Sequence, residues 1–308
     1  RVVLAVANRA DSRPMVVAGL LAATATALYA TIASAVFSRR PLLVDEIVQV
    51  IQARIFAEGR FARPVAEFPE FFSAMHVVDL NERVFSQFPP GGPAMLLPGV
   101  LVGAPWLVGP VIGAVAVALF WLLVRSLEHR PGTALGAAVL FAVAPFMAFM
   151  AGSNMNHVPA LAWLCLGLLA LQRLSSADRA AVGWSVVCGL SLGMMAAIRP
   201  VDGAAFALPA AFWLLARRTA PGGWRNLTGA GIGVLVPVSA VLAYNAATTG
   251  DPLLFGYEML WGPSHGLGFH QAPCGVSHTP ARGVELVSLY FLRLQTYLFE
   301  TPLPSLVP

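Results

Sequence analysis

Seven stretches of the chain are almost unbroken apolar sequence: residues 15–37, 104–124, 133–151, 158–171, 181–198, 203–216 and 227–248. A membrane-crossing helix needs about 17–25 mostly apolar residues, so each stretch reads as a span, with 158–171 and 203–216 borrowing flanking residues or tilting. An eighth apolar stretch, "GGPAMLLPGVLVGA" at 91–104, is shorter and carries Pro93 and Pro98. It predicts an interfacial or re-entrant segment rather than a crossing. Ahead of it, "IVQVIQARIFAEG" spaces Ile47, Val50, Ile51 and Ile55 at helical intervals and ends at Gly59, a C-cap residue. That pattern predicts a helix lying on the membrane surface. Together these elements predict an all-α, polytopic helix bundle of about seven spans, with 1–308 as a single transmembrane domain.

Composition agrees with the pattern. The chain is 57% hydrophobic and only 11% charged, with mean hydropathy +0.73, against roughly 45–50% and about 25% in soluble domains. The lipid bilayer is therefore an expected partner. The net charge of +4 comes from 19 basic residues, all Arg and scattered among short loops, which gives no footprint for nucleic acid. Cys165, Cys188 and Cys274 show no metal-ligand spacing.

The Arg positions set an orientation, because short cytoplasmic loops are enriched in basic residues. With Arg1, Arg9 and Arg13 inside, the loops carrying Arg125 and Arg130, Arg173 and Arg179, and Arg217, Arg218 and Arg225 all fall inside as well. Of the 15 acids only Asp11, Glu128 and Asp178 share that side. The expectation is an inner-membrane protein with a cytoplasmic N-terminus and two large outer pieces, 38–103 and 249–308, the latter interfacial or opening a further membrane segment. The chain starts at Arg1 without Met and stops in apolar sequence, so a longer parent protein is expected.

Candidate chemistry begins with the adjacent acids Asp45 and Glu46 at the start of the surface helix. Helix neighbours point about 100° apart, so one reactive carboxylate and one structural partner is the natural division. The plain alternative is a pair of acids favoured by the macrodipole at a helix N-terminus.

The order of features resembles the GT-C superfamily of membrane glycosyltransferases, in the style of the protein O-mannosyltransferases and the lipid A aminoarabinose transferases. The features are a short tail, one span, an outer loop opening with "DE" on a helix, then "FPPGGPAMLLPG", a span ending in "LFWLLVRSL", and an "N..TGDPL..GY" pattern from Asn245 to Tyr257. The resemblance implies a GT-C bundle that transfers a sugar on the outer face from a polyprenyl-phosphate donor to an external acceptor, with inversion. It places Asp45 near the reacting centre. Attack by a hydroxyl needs a carboxylate to take its proton, which makes Asp45 the candidate base and Glu46 the residue that orients it or a nearby Arg.

In "SNMNHVP", where relatives often carry an acid, this chain offers Asn156 and His157. They are candidates to bind sugar or acceptor, His157 also to share a proton with Asp45; capping of a helix is the alternative. Arg199 and Asp202 end the fifth run on the outer side. Arg199 suits a lipid phosphate through its planar fork, or pairs with Asp202, Asp45 or Glu46, or reaches headgroups. Arg39 and Arg40, just outside the first run, are expected to anchor at headgroups, with a phosphate or pyrophosphate as the alternative ligand. Tyr257 and His265, among the aromatics and histidines after the last run, are candidates for a sugar-stacking lid, with interfacial anchoring as the alternative. His265, His270 and His278 match no zinc spacing. No cofactor is expected, with a divalent metal left open. A non-catalytic GT-C-like subunit and a lipid or sugar carrier are the competing functions.

Overall fold

Every apolar run predicted to cross the membrane is helical. The computed structural model describes residues 12–71, 74–128, 130–176, 181–266, 268–272, 275–294 and 296. Arg1, Arg9, Asp11, Asp178, Arg179, Cys274 and 297–308, used in the orientation and outer-piece expectations above, lie outside the described residues. In chain order the elements are α1 (Pro14–Ala35), α2 (Val44–Ala57), β1 (Arg63–Pro64), β2 (Val77–Leu80), β3 (Arg83–Ser86), α3 (Gly91–Leu101) and α4 (Val108–Leu127). They continue with α5 (Pro131–Val143), α6 (Pro145–Gly152), α7 (His157–Ser175), α8 (Val182–Ile198), α9 (Pro200–Ala216), α10 (Gly223–Thr249), α11 (Gly256–Trp261) and α12 (Pro280–Arg293). The chain forms two compact units, Arg1–Gly256 and Tyr257–Pro308.

Among the described residues, four helices are long and apolar enough to cross a bilayer: α1, α4 with the turn before it, α7 and α10. The α5–α6 pair, bent by 52°, makes a fifth if it is one broken span. The described residues thus carry four to five such spans of a multi-pass membrane protein, where the sequence predicts about seven. The difference lies in α8 and α9, which stop at 17 residues each, or roughly 25 Å at 1.5 Å per residue. Pro200 separates them, since a proline lacks the N–H that would carry one helix into the next. The 91–104 segment forms α3, whose 11 residues rise only about 16 Å.

The all-α expectation needs one correction. The first outer piece contains a three-stranded antiparallel sheet, order β1-β3-β2, with Val78 opposite Phe85 and Arg63 opposite Val84. β2 and β3 meet at a two-residue turn in which Asn81 and Glu82 both have positive φ, at 50° and 60°. This is the primed-turn geometry that matches strand twist. The turn was hidden because its second residue is Glu where glycine is the usual signal.

Packing between the apolar helices depends on small residues. Within lipid there is little hydrophobic drive between helices, so close backbone approach supplies the attraction. On α8 and α10 the pairs Gly189/Gly193 and Gly229/Gly233 do this: a Cβ at Gly189 would strike the Ala230 carbonyl, and one at Gly233 the backbone of Val186 and Leu190. At the α5–α6 break, Pro145 has no N–H to give its preceding turn. There the buried Tyr29 hydroxyl donates to the Ala142 carbonyl at 2.8 Å, so α1 satisfies a carbonyl of the interrupted helix. Trp121, also buried, donates its indole N–H to the Pro14 carbonyl at 3.1 Å.

A paired substitution tests the close approach. Gly233→Val forces α8 and α10 apart and is expected to lower thermal stability, at the upper end of the about 1–3 kcal/mol typical of overpacking. Gly231→Ala, on the same helix with nothing near its Cβ, is expected to be neutral or stabilising. Equal melting temperatures in detergent for both variants would contradict this packing.

Candidate functional site

The acid pair sits at the second and third positions of α2, after the N-cap Leu43. Because neighbours diverge by about 100°, the two carboxylates have opposite surroundings. Glu46 is fully buried, and its Oε2 accepts the Asn154 N–H at 3.1 Å. The N–H groups of Leu43 and Leu42 also act on it. Its other oxygen, Oε1, is buried without a hydrogen-bond partner. Burial pushes the Glu46 carboxyl above its ordinary 4.5, against the pull of those N–H groups, and Asp45 adds repulsion. Glu46 therefore orients neither Asp45 nor an arginine, contrary to expectation: it docks α2 onto the 153–156 turn.

Asp45 faces outward, with its side chain 41% exposed, and its Oδ1 lies 3.3 Å from Nε2 of His76. The opposite ring nitrogen of His76, Nδ1, is 2.7 Å from the Gln87 side-chain amide. With that amide donating to Nδ1, the ring proton resides on Nε2 and is given to Asp45. His76 itself is fixed by the Gln87 N–H, which donates to its carbonyl at 3.0 Å, and by Phe88, whose ring centre is 5.6 Å away. The sequence reading assigned nothing to His76 or Gln87. They reach Asp45 only because β2 and β3 fold back beside α2. A polar His and Gln flanking two alternating strands were the only signal.

Two glycines bring the remaining residues to this end of the bundle. A Cβ at Gly91 would lie 2.6 Å from the backbone of Ala197, and one at Gly92 would strike Gln49 of α2 and approach Asn156 at 3.3 Å. The start of α3 is thereby wedged between α2, the 153–156 turn and the end of α8. Arg199, at the α8–α9 junction, donates from Nε to Asp202 and from Nη1 to Asn156 Oδ1 at 3.5 Å. Of the pairings open to it, the one formed is with Asp202. His157 opens α7 half-buried, with its ring edge-on to Phe146 and Nδ1 lacking a hydrogen-bond partner. Arg199, Asp202 and Asp45 are all close enough to act electrostatically on its imidazole. The imidazole bonded to Asp45 is that of His76, not His157.

Asp45, Glu46, Asn156, His157, Arg199 and Asp202 thus gather at one end of the first unit, where the N-termini of α2, α3, α7 and α9 meet. Helix N-termini carry partial positive charge and unpaired N–H groups, an environment suited to an anion. The C-terminus of α8 is there too, and Arg199 caps it with a positive charge. Tyr257 and His265 belong to the second unit. There His265 stacks on Trp261 at 5.5 Å, His278 on Phe269 at 5.5 Å, and His270 bonds backbone carbonyls. Among the described residues no group of three His, Cys, Asp or Glu side chains is placed to hold a metal ion. Arg39 lies over the Trp106 ring at 4.7 Å and donates to the Ser34 hydroxyl at 3.1 Å.

The buried carboxyl of Glu46 has a pH signature. Its proton is held more tightly in the folded chain than in the unfolded one, so its contribution to stability is complete below about 4.5 and is lost as pH rises through the raised value. Glu46→Gln keeps the shape and removes the charge. Between pH 4.5 and 8 the parent's melting temperature is expected to fall relative to that of Glu46→Gln, and parallel curves would contradict the assignment. Compared with protein families, curated proteins and solved structures, the chain matches none of them.

Proposed function

We propose that the chain is a membrane glycosyltransferase of the GT-C type, moving a sugar from a polyprenyl-phosphate donor to a hydroxyl acceptor on the outer face. The observation that carries this reading is the convergence of Asp45, Arg199, Asp202 and His157, distant in sequence, at the end of the bundle where four helix N-termini meet. The resemblance in the order of sequence features supports it. The orientation is supported by Arg125, Arg173 and Arg217 at the far ends of α4, α7 and α9.

In this reading the acceptor hydroxyl attacks the anomeric carbon as the carbon–oxygen bond to phosphate breaks. The hydroxyl proton passes to Asp45, and the electron pair of the broken bond leaves on the phosphate. His76, donating to Oδ1, holds the carboxylate so that the other oxygen faces the nucleophile. The departing phosphate gains negative charge, and Arg199 is suited to it. A guanidinium has five N–H donors; Asp202 and Asn156 take two, which leaves the others for phosphate oxygens. Asp202 then fixes the fork rather than competing for it. Asn156 and His157 would meet sugar hydroxyls.

Sugar transfer from a polyprenyl-phosphate donor, assayed with purified protein in nanodiscs, tests the assignment. Asp45→Asn is expected to lower kcat by about 10²–10⁴-fold, the usual contribution of a general base. His76→Ala, which removes a hydrogen bond to a charged group worth about 1.5–3 kcal/mol, is expected to lower kcat about tenfold to a hundredfold with donor KM unchanged. Arg199→Lys, which keeps charge but loses the fork, is expected to raise donor KM. Full turnover by folded Asp45→Asn would remove Asp45 from the mechanism, and no transfer by the parent protein from any polyprenyl-phosphate sugar would remove this function.

A further inference from the structure

At the opposite end of α2, 14 residues and roughly 20 Å from Asp45 at 1.5 Å per residue, a recess lined by several charged side chains has no role in the reaction above. Its volume is about 730 Å³, and Arg60, Phe61, Arg63, Asn81, Glu82 and Arg83 line it. A smaller cavity of about 280 Å³ adjoins it and shares Asn81, Arg83 and Ala247. The first volume is within the range of about 300–1,000 Å³ typical of small-molecule sites.

The walls are fixed from behind. Gln52, fully buried, donates to the Phe61 carbonyl at 2.9 Å and accepts the Ser86 N–H at 2.8 Å, tying the 60–64 rim to β3. Phe56, Phe61 and Tyr244 pack edge-on to one another with ring centres 5.9–6.3 Å apart. The Val65 N–H donates to the Glu82 carbonyl at 3.0 Å, and Arg83 reaches the Ala247 carbonyl at 3.4 Å at the end of α10.

Charge decides what such a cavity holds. Arg63 is bound by both oxygens of Glu58, so it is neutralised in place, and that pairing draws the Glu58 carboxyl below its ordinary value. Among the described residues neither Arg60 nor Arg83 is in an ion pair. Glu82 is the acid on the rim; with Arg63 offset by Glu58, its one negative charge stands against the two positive charges of Arg60 and Arg83, so the lining stays net positive. Two exposed guanidiniums around a recess, backed by the N–H-rich Asn81 side chain and an aromatic wall, match a tetrahedral anion, which a planar fork binds through two oxygens at once.

We propose that this recess is a binding site for a phosphate-bearing anion, either a lipid headgroup or a soluble phosphate compound, separate from the Asp45 site. Arg60 and Arg83 supply the charge, Asn81 a hydrogen bond, and the Gln52 clamp the fixed geometry.

The test uses the whole protein in nanodiscs. Pyrophosphate is titrated by calorimetry, and lipid retention is read by native mass spectrometry after exchange between phosphatidylglycerol and phosphatidylcholine. Replacing Arg60→Gln and Arg83→Gln together is expected to weaken one of these ligands at least tenfold, and Arg54→Gln, an exposed position on the same helix outside the lining of the recess, to weaken neither. Loss of pyrophosphate binding identifies a soluble phosphate compound, and loss of phosphatidylglycerol retention alone identifies a headgroup. If the double Gln variant does not fold, the double Arg→Lys variant keeps both charges without the forks and is expected to bind with intermediate affinity. Binding of both ligands unchanged in these variants, or absent from the parent protein, overturns the proposal.

Discussion

The Glu46 carboxylate, buried against the Asn154 N–H, is the contact on which the arrangement at this end of the bundle depends. Moving an ionised carboxylate out of water costs several kcal/mol unless donors replace its hydration. One oxygen of Glu46 has them and the other does not. The folded chain therefore holds α2 in a single position, because any shift that breaks the Asn154 contact strands the carboxyl further. Asp45 inherits its place from this: with its neighbour turned inward, it must face outward, toward His76.

That position has meaning only because the bundle brings other elements to the same end. Gly91 and Gly92 allow α3 to start in contact with Ala197 and Gln49, and a side chain at either would lift α3 from the junction. The close approach of α8 and α10 at Gly189, Gly229 and Gly233 holds the end of α8, and with it Arg199, beside Asn156. Small residues within the apolar layer thus set the distances between charged residues at its edge.

α2 connects two different environments. Its N-terminus has an outward acid, a histidine and an arginine already shared between two partners. Its C-terminus, through Gln52 and the 59–61 turn, builds the wall of a basic recess. Both depend on buried amides and carboxyls that satisfy backbone groups, so the polar interior of this outer piece is a scaffold rather than an excess of charge.

The apolar runs were legible because a helix in lipid must close its own backbone hydrogen bonds, and length with composition suffices to mark it. The same holds for the existence of a helix at 44–57, whose period is local, and for the pairing of Arg199 with Asp202, three residues apart. It does not hold for the face that helix buries, since Ile47 is exposed and Gln49 and Gln52 are buried. The separate fates of Asp45 and Glu46 followed in part from helix geometry, but which acid turns inward did not, since that depends on Asn154, more than a hundred residues away. The sheet escaped because its strands are short and its turn lacks glycine. His76 and Gln87 escaped because their meaning arises only where β2 and β3 fold against α2. Sequence by itself determined which segments are apolar and helical, because those properties arise within one turn of chain. Tertiary structure alone decided which polar groups meet, because a buried donor or acceptor takes its partner from whichever distant segment packing delivers.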